Sequence, residues 1–216
     1  HLQRRRQRQM CIRDRIEIVK VENKDQETEF VMFPFSLYKG CDYWVPPIIS
    51  EELESMDKEK NPVFENAEAE FYIAKKDGVT VGRIAAMVNW VEIEEQKKNK
   101  LRFGWYDTID DLEVSKKLLE SVIEFGKKRK LEFVDGPVGF SNMDKAGLLI
   151  EGYEELNTMI TWYHYPYQKE HLKKLGFSKL AEWVEYKIKI FSAEDAPEKV
   201  KKFSKIIYLS QLKWQI

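Results

Sequence analysis

The dipeptide Asp77-Gly78 is the strongest constraint on the fold, because it separates two runs that alternate as β-strands do. Glu70 to Lys75 precedes the dipeptide, and Val79 to Asn89 follows it. Asp and Gly both tolerate the positive φ angles that a two-residue hairpin turn requires. The pattern therefore predicts a β-hairpin, and with it antiparallel pairing.

Apolar spacing predicts the other elements. Four further segments are predicted strands: Ile16 to Val21, Leu101 to Ile109, Leu131 to Val134 and Trp183 to Ile190. Predicted helices cover Asp25 to Tyr38, Glu51 to Met56, Asp110 to Lys130 and Tyr165 to Leu175, and Pro197 begins another helix-like segment. Pro34 is expected to break or kink the first helix, and Ser50 to cap the second. This order predicts an α+β fold with one mixed, mainly antiparallel sheet flanked by helices.

The composition favours a globular protein. The chain has 216 residues, of which 43% are hydrophobic and 13% aromatic, enough for a packed core. A long apolar stretch, Val81 to Val91, is interrupted by polar residues and is shorter than the roughly 20 residues of a membrane span. Two cysteines and three histidines show no zinc-ligand spacing. We therefore expect a cytoplasmic protein without a membrane span or a bound metal.

The first fifteen residues differ from the rest, since they contain six of the nine arginines. Such a segment is typical of a nucleic-acid-binding arm or, with more apolar residues, of a targeting peptide. The run Arg5 to Arg15 resembles the translation of a transposon-end sequencing adapter, and this is the interpretation we prefer. The segment holds six of the 36 basic and one of the 37 acidic residues, so the net charge without it is −6 rather than −1. An acidic chain argues against a nucleic-acid partner.

Several motifs together resemble a bacterial subgroup of the GNAT superfamily of acyl-CoA N-acyltransferases. They are Phe33-Pro34-Phe35, Tyr43 to Pro47, Phe103 to Asp107, Gly136-Pro137, Gly147 to Gly152, Tyr165-Pro166-Tyr167 and the helix end Leu175-Gly176-Phe177. Members of the subgroup are longer than this chain. The adapter resemblance implies a non-native segment at 1–15, and the GNAT resemblance implies a GNAT-like domain at 16–191 and the start of a truncated, related second half at 192–216.

The resemblance implies transfer of an acyl group from acetyl-CoA or another acyl-CoA to a small-molecule amine. In GNAT folds the pantetheine arm of CoA pairs with the first of two diverging parallel strands. That strand places Trp105, Tyr106 and Asp107 as cofactor contacts. The family's Gly-rich pyrophosphate loop is absent, and Asp110, Asp111 and Glu113 occupy the start of the next helix. Their charges complement the helix dipole and would repel a pyrophosphate.

The position of the family's catalytic tyrosine is Leu172 in this chain, so the acid must come from another residue. Tyr167 and His171 are the candidates to protonate the leaving thiolate, with His171 also able to act as a base. Glu151 is a candidate base, partly buried after an apolar run. The less specific alternatives are an aromatic packing role for Tyr167, a solvated His171 and a surface carboxylate at Glu151.

The glycine-rich loop from Gly136 to Gly152 carries polar side chains and resembles a ligand-binding loop, although ordinary connections have the same composition. Ser141, Asn142 and, from the next segment, Tyr165 are therefore the predicted substrate contacts. Cys41 has no paired base and is predicted to be an inert thiol. Two other functions remain open: a non-catalytic GNAT-like module of a larger tandem protein, and a nucleic-acid binder if residues 1–15 are native.

Overall fold

The computed structural model describes residues 15–141, 143–158, 161–186, 188, 192 and 195–204. The helices and strands in chain order are β1 (Ile16–Lys20), α1 (Lys24–Leu37), α2 (Ile49–Met56), β2 (Ala67–Lys76), β3 (Val79–Asn89), α3 (Trp90–Glu94), β4 (Lys100–Thr108), α4 (Leu112–Lys128), β5 (Phe133–Asp135) and α5 (Pro166–Lys174). A 3₁₀-helix, Pro62–Glu65, precedes β2, and residues 198–204 are helical.

The five strands form one sheet in the order β1-β2-β3-β4-β5. Strands β1 to β4 pair antiparallel with their neighbours, whereas β4 and β5 are parallel and are connected through α4. Asp77 and Gly78 have φ angles of 53° and 80°, so the predicted hairpin turn is confirmed. The predicted α+β fold, with a mixed and mainly antiparallel sheet flanked by helices, is confirmed as well.

Each face of the sheet buries its own apolar cluster. Helix α4 covers one face through residues that recur at helical spacing: Val114, Leu118, Leu119, Val122 and Phe125. Helices α1 and α2 cover the other face, where Phe30, Val31 and Met56 pack with side chains of β2, β3 and β4. Residues that alternate along β4 therefore point into different clusters, and this positions the candidate site.

Helix α1 continues past Pro34 to Leu37, so of the two predicted effects of this proline, a break or a kink, the break is wrong. A proline lacks the N–H that would bond to the carbonyl four residues earlier, here that of Phe30. The guanidinium of Arg83 donates to the Phe30 carbonyl instead, with Nη1 and the oxygen 3.1 Å apart. The Phe30 carbonyl, which lacks its helical N–H donor, thus accepts a hydrogen bond from a side chain of β3.

Two other expectations also differ from the structure. Helix α2 begins after Ile48, which makes no side-chain cap bond, so Ser50 lies inside the helix rather than capping it. Residues 183–186 and 188 have no regular structure, so the strand predicted there is wrong over these positions; 187, 189 and 190 lie outside the described residues.

The chain separates into two compact units, His1–Ser178 and Lys179–Ile216. All five strands and helices α1 to α5 belong to the first unit. Residues 1–14, which contain nearly all of the predicted adapter segment, lie outside the described residues. The domain assignment made from the sequence stays a prediction.

No helix in the described ranges is both long and apolar enough to cross a bilayer. Within the same ranges, no group of three or more His, Cys, Asp or Glu residues is placed to hold a metal ion.

Candidate active site

Strand β4 pairs antiparallel with β3 on one side and parallel with β5 on the other, and its pairing with β5 is the shorter of the two. It pairs with β5 over three residues, Lys100 to Arg102, opposite Phe133 to Asp135. Its register with β3 then shifts, because Arg83 lies opposite Asp107 whereas Ala85 lies opposite Gly104. The extra residue is a bulge at Trp105, which has a φ of 47°. A parallel strand pair that diverges beyond a short pairing is the arrangement that the GNAT resemblance implied.

The end of β4 has a buried edge that faces away from β3. Asp107 pairs with Arg83, and the N–H of Ile109 donates to the carbonyl of Val81, so both residues face β3. Since backbone groups alternate along a strand, those of Tyr106 and Thr108 point the other way. Beyond Asp135, β5 no longer covers this edge. We call the backbone groups of Tyr106 and Thr108 on this side the β4 edge.

Side chains of α5 occupy both carbonyls of the β4 edge. The hydroxyl of Tyr167 donates to the carbonyl of Thr108 at 2.7 Å, and Nε2 of Gln168 donates to that of Tyr106 at 3.2 Å. Gln168 is fully buried, and its Oε1 accepts from the backbone N–H of Tyr165 at 2.8 Å. Helix α5 begins at Pro166, which suits the first turn because its missing N–H needs no partner there.

A buried ion pair lies on the α1 side of the β4 edge. Nε of Arg83 donates to Oδ2 of Asp107 at 2.8 Å, and the hydroxyl of Tyr38 donates to Oδ1 at 2.6 Å. Burial and the Asp107 carboxylate raise the pKa of Tyr38 well above its usual value, so this phenol keeps its proton. The carboxylate therefore has a partner for each oxygen and is held in one orientation.

His164 lies next to this ion pair and was missed by the sequence analysis. It is 1% exposed, and its Nδ1 has no hydrogen-bond partner. Burial lowers its pKa to about 4, although the charge of Asp107 acts in the opposite direction. The imidazole is therefore neutral near pH 7. The sequence could have indicated a buried histidine here, because His164 lies within the aromatic run Trp162 to Tyr165 and such a run is expected to be buried.

A hydrogen-bonded chain lies on the α4 side of the β4 edge. The hydroxyl of Tyr106 donates to Oγ of Ser115 at 2.9 Å, and this oxygen lies 2.8 Å from Nδ1 of His171. Nε2 of His171 is 3.2 Å from Oδ1 of the exposed Asp110. In the neutral form of the ring, a hydrogen on Nε2 faces the carboxylate and leaves Nδ1 as the acceptor. Donation then runs in one direction, from the buried phenol out to the surface.

The pKa values of the two tyrosines in this region are raised by burial. That of Tyr106 rises to about 12. Burial also raises the pKa of Tyr167 above its usual range, and the negative groups around it act in the same direction. Both phenols are therefore proton donors at neutral pH and remain protonated in this arrangement.

The start of α4 carries the acids that the sequence predicted. Asp111 is the N-cap, and its Oδ1 accepts from the backbone N–H of Glu113 at 3.0 Å. Its other oxygen, Oδ2, is 3.4 Å from Nζ of Lys76. The helix N-terminus, which binds anions in many proteins, is here already occupied by a carboxylate.

The structure brings together several predicted catalytic and cofactor-binding residues. Tyr167 and His171 lie one turn apart on α5, with ring centroids separated by 5.4 Å. Tyr106 is connected to His171 through Ser115, Tyr167 bonds to the carbonyl of Thr108 two residues along, and Asp107 lies on the opposite side of the strand. His171 is buried, so the expectation of a solvated helix residue was wrong.

The remaining predicted residues have other surroundings. Trp105 is 8% exposed, and its Nε1 donates to a carboxylate oxygen of Glu52 at 2.7 Å. Tyr165 stacks on Tyr167 with centroids 5.7 Å apart, which keeps it near the β4 edge.

Two of the three predicted residues in the 136–152 segment can be placed. Glu151 is exposed, so the partial burial expected for it was wrong and the alternative of a surface carboxylate is what the structure shows. Oγ of Ser141 accepts from the N–H of Met143 at 3.1 Å within the loop. Asn142 lies outside the described residues.

Comparison with known proteins gives two sequence relatives. No protein-family model matches the chain. Protein YghO of Escherichia coli K12 is 31% identical over 167 residues, which are 76% of this chain and 43% of YghO. The bacterial ceramide synthase of Caulobacter vibrioides is 22% identical over 174 residues, which are 80% of this chain and 45% of the synthase. The chain therefore spans less than half the length of these relatives.

Among solved structures, a predicted acetyltransferase from Clostridium acetobutylicum, determined with acetyl-CoA, aligns over 80% of this chain and 96% of its own. The TM-score is 0.48 and the sequence identity 13%.

Proposed function

We propose that this chain carries the site of an acyl-CoA-dependent N-acyltransferase of the GNAT type. The observation that carries the proposal is the divergence of β4 from the β5 chain beyond Phe103, whose carbonyl still accepts from the N–H of Val138 at 2.8 Å, together with the bulge at Trp105. Once Tyr167 and Gln168 leave the two carbonyls, the backbone groups of Tyr106 and Thr108 can bind an extended, amide-bearing ligand, which pairs with a strand edge as another strand would.

The chemistry requires two proton movements. The amine nitrogen attacks the thioester carbonyl carbon, the carbon–sulfur bond breaks, and the acyl group moves from sulfur to nitrogen. One proton leaves the nitrogen, and one is delivered to the thiolate. Tyr167 is the proposed donor to sulfur, and His171 or Glu151 the proposed base. Ser141, Asn142 and Tyr165 remain the proposed contacts of the acceptor.

The acceptor that we propose is the amine of a long-chain amino alcohol. The support is the similarity to the bacterial ceramide synthase, which covers 80% of this chain. A ceramide is the amide of such an amine with a fatty acid, and its formation is the same acyl transfer from sulfur to nitrogen. A small polar amine is the competing acceptor.

Product analysis tests the function. The purified 216-residue chain is incubated with acetyl-CoA or palmitoyl-CoA and with sphinganine or a polar amine such as spermidine. Released thiol and the amide product are then quantified by absorbance and mass spectrometry. We expect amide formation that depends on both substrates. The proposal is contradicted if no pair of substrates releases thiol and neither acyl-CoA shifts the melting temperature.

A substitution of Tyr167 tests whether this residue is the acid that protonates the thiolate. Tyr167→Phe removes the proposed donor to sulfur, and we expect kcat to fall by about 10²- to 10⁴-fold without any rise in the acyl-CoA KM. Tyr153→Phe is the matched control, because its hydroxyl donates to the carbonyl of Leu149 at 2.9 Å, outside the β4 edge. An unchanged kcat in Tyr167→Phe would exclude this tyrosine as the acid.

A non-catalytic GNAT-like module is the second candidate function. The acids at the start of α4 favour it, because Asp110 and Asp111 oppose the pyrophosphate of CoA. This candidate predicts that no acyl-CoA binds measurably at any ionic strength, and titration calorimetry separates it from the enzyme.

A further inference from the structure

The β4 edge is hydrogen-bonded to the protein's own α5 by the two bonds described above. Tyr167 and Gln168 are neighbours in sequence, and Tyr106 and Thr108 are the two alternate residues that face this side. Each side chain thus donates to a carbonyl to which an inserted strand or an extended ligand would also donate. The contact imitates the pairing of such a ligand.

Further contacts anchor α5 in this position. Oε1 of Gln168 lies 3.4 Å from the hydroxyl of Tyr38, which connects it to the Asp107 ion pair. His171 bonds to Ser115 of α4 on the other side of the strand. Leu172 is 6% exposed in the α4-side core. His171 and Leu172 therefore hold the backbone of α5 independently of the Tyr167 hydroxyl, whereas Gln168 is itself one of the anchors.

We infer that Tyr167 and Gln168 form a displaceable seal on the β4 edge, which the amide-bearing arm of an acyl-CoA must replace before it binds. This inference rests on the proposed function. The sealed state does not bind the arm, so the observed affinity is the intrinsic affinity reduced by the fraction of open molecules. The hydroxyl of Tyr167 reaches the thiolate only after it has left Thr108, so opening also frees the proposed acid.

Titration calorimetry with two ligands tests the seal. Coenzyme A contains the arm, whereas adenosine 3′,5′-bisphosphate has only the nucleotide portion. In Gln168→Leu the donor to Tyr106 is lost, and we expect coenzyme A to bind roughly 3- to 10-fold more tightly than to the wild type, the effect of removing one competing hydrogen bond. The affinity for adenosine 3′,5′-bisphosphate should not change.

A second variant covers the possibility that the buried Gln168→Leu substitution prevents folding. Tyr167→Phe conserves volume at a half-buried position, removes the bond to Thr108, and should tighten coenzyme A binding by a similar factor. Tyr153→Phe, which removes a bond from a tyrosine to a carbonyl elsewhere, should leave both affinities unchanged.

The outcomes separate the seal from the proposed function. The seal is overturned if the wild type binds coenzyme A and both seal variants bind it equally or more weakly. The proposed function is unaffected by that result. Tighter binding of both ligands also overturns it, because the effect would not depend on the arm. If neither ligand binds any folded variant, the proposed function fails, and the seal with it.

Discussion

At the scale of single residues, the carboxylate of Asp107 and the ring of His164 differ sharply in how their polar atoms are satisfied. Asp107 uses each oxygen, one with Arg83 and one with Tyr38. His164 is equally buried but leaves Nδ1 without a partner. An unsatisfied buried polar atom costs about 1–3 kcal/mol, so its retention is more typical of a functional position than of a packing one.

The lowered pKa of His164 predicts a loss of stability in acid. The folded protein holds this ring neutral down to its pKa of about 4, whereas the unfolded chain protonates it near 6.5. Between these values the unfolded state binds more protons, so stability present above pH 6.5 is lost as the pH falls toward 4. The contribution is about 3 kcal/mol. Urea unfolding from pH 4 to pH 7 measures it.

The control for this prediction is His164→Phe, which removes the titrating group. The variant should lose less unfolding free energy than the wild type between pH 7 and pH 4, the difference being the contribution of the histidine. Parallel pH profiles of the two proteins would show that His164 is not held neutral.

At the scale of elements, local sequence was sufficient for most helices and strands. The hairpin follows from the φ preferences of Asp77 and Gly78, and α4 follows from the period of its apolar residues. The bounds of helix α1 were predicted to within one residue, but its continuation past Pro34 could not be explained locally, because the carbonyl freed by Pro34 is satisfied by Arg83, 53 residues from Phe30. Propensity describes the local cost of a proline, whereas a distant donor decides whether the helix continues.

The N-cap of α4 gives a prediction at this scale. Asp111→Ala removes the acceptor of the Glu113 N–H and should destabilise the protein by about 1 kcal/mol, as measured by urea unfolding. Asp111→Asn retains a side-chain oxygen and should cost only a few tenths of a kcal/mol. If Asn is as harmful as Ala, the ion pair with Lys76 rather than the cap is what stabilises this end.

At the scale of the whole molecule, the β4 edge is a meeting point of three layers. Helix α1 contributes Tyr38 from one side of the sheet, α4 contributes Ser115 from the other, and α5 covers the edge itself. At the opposite end of β4, a second buried network joins α3, β4, β5 and the following loop. Its members are Glu92, Lys100, Arg102, Asp135 and the carbonyl of Gly139.

This second network predicts a large effect of a single substitution. Arg102 is bidentate to Glu92, at 2.9 Å and 2.6 Å, and 2% exposed. Arg102→Met leaves the buried Glu92 with a weaker partner, Lys100, and should destabilise the protein by about 3 kcal/mol. Lys128→Met is the control, because its ion pair with Glu124 is exposed and should change stability by less than about 0.5 kcal/mol. Similar losses in the two variants would contradict the prediction.

The sequence by itself determined the hairpin, the amphipathic helix α4 with its acidic start, and the helix that carries Tyr167 and His171, because each depends on residues within a few positions of one another. Tertiary structure decided the contacts of the site. Ser115 and His171 are 56 positions apart, Tyr38 and Asp107 are 69 apart, and Gln168 is 62 from Tyr106. No local sequence period encodes contacts between residues that are so far apart along the chain. They arise because the sheet and its two apolar faces fix where α1, α4 and α5 pack.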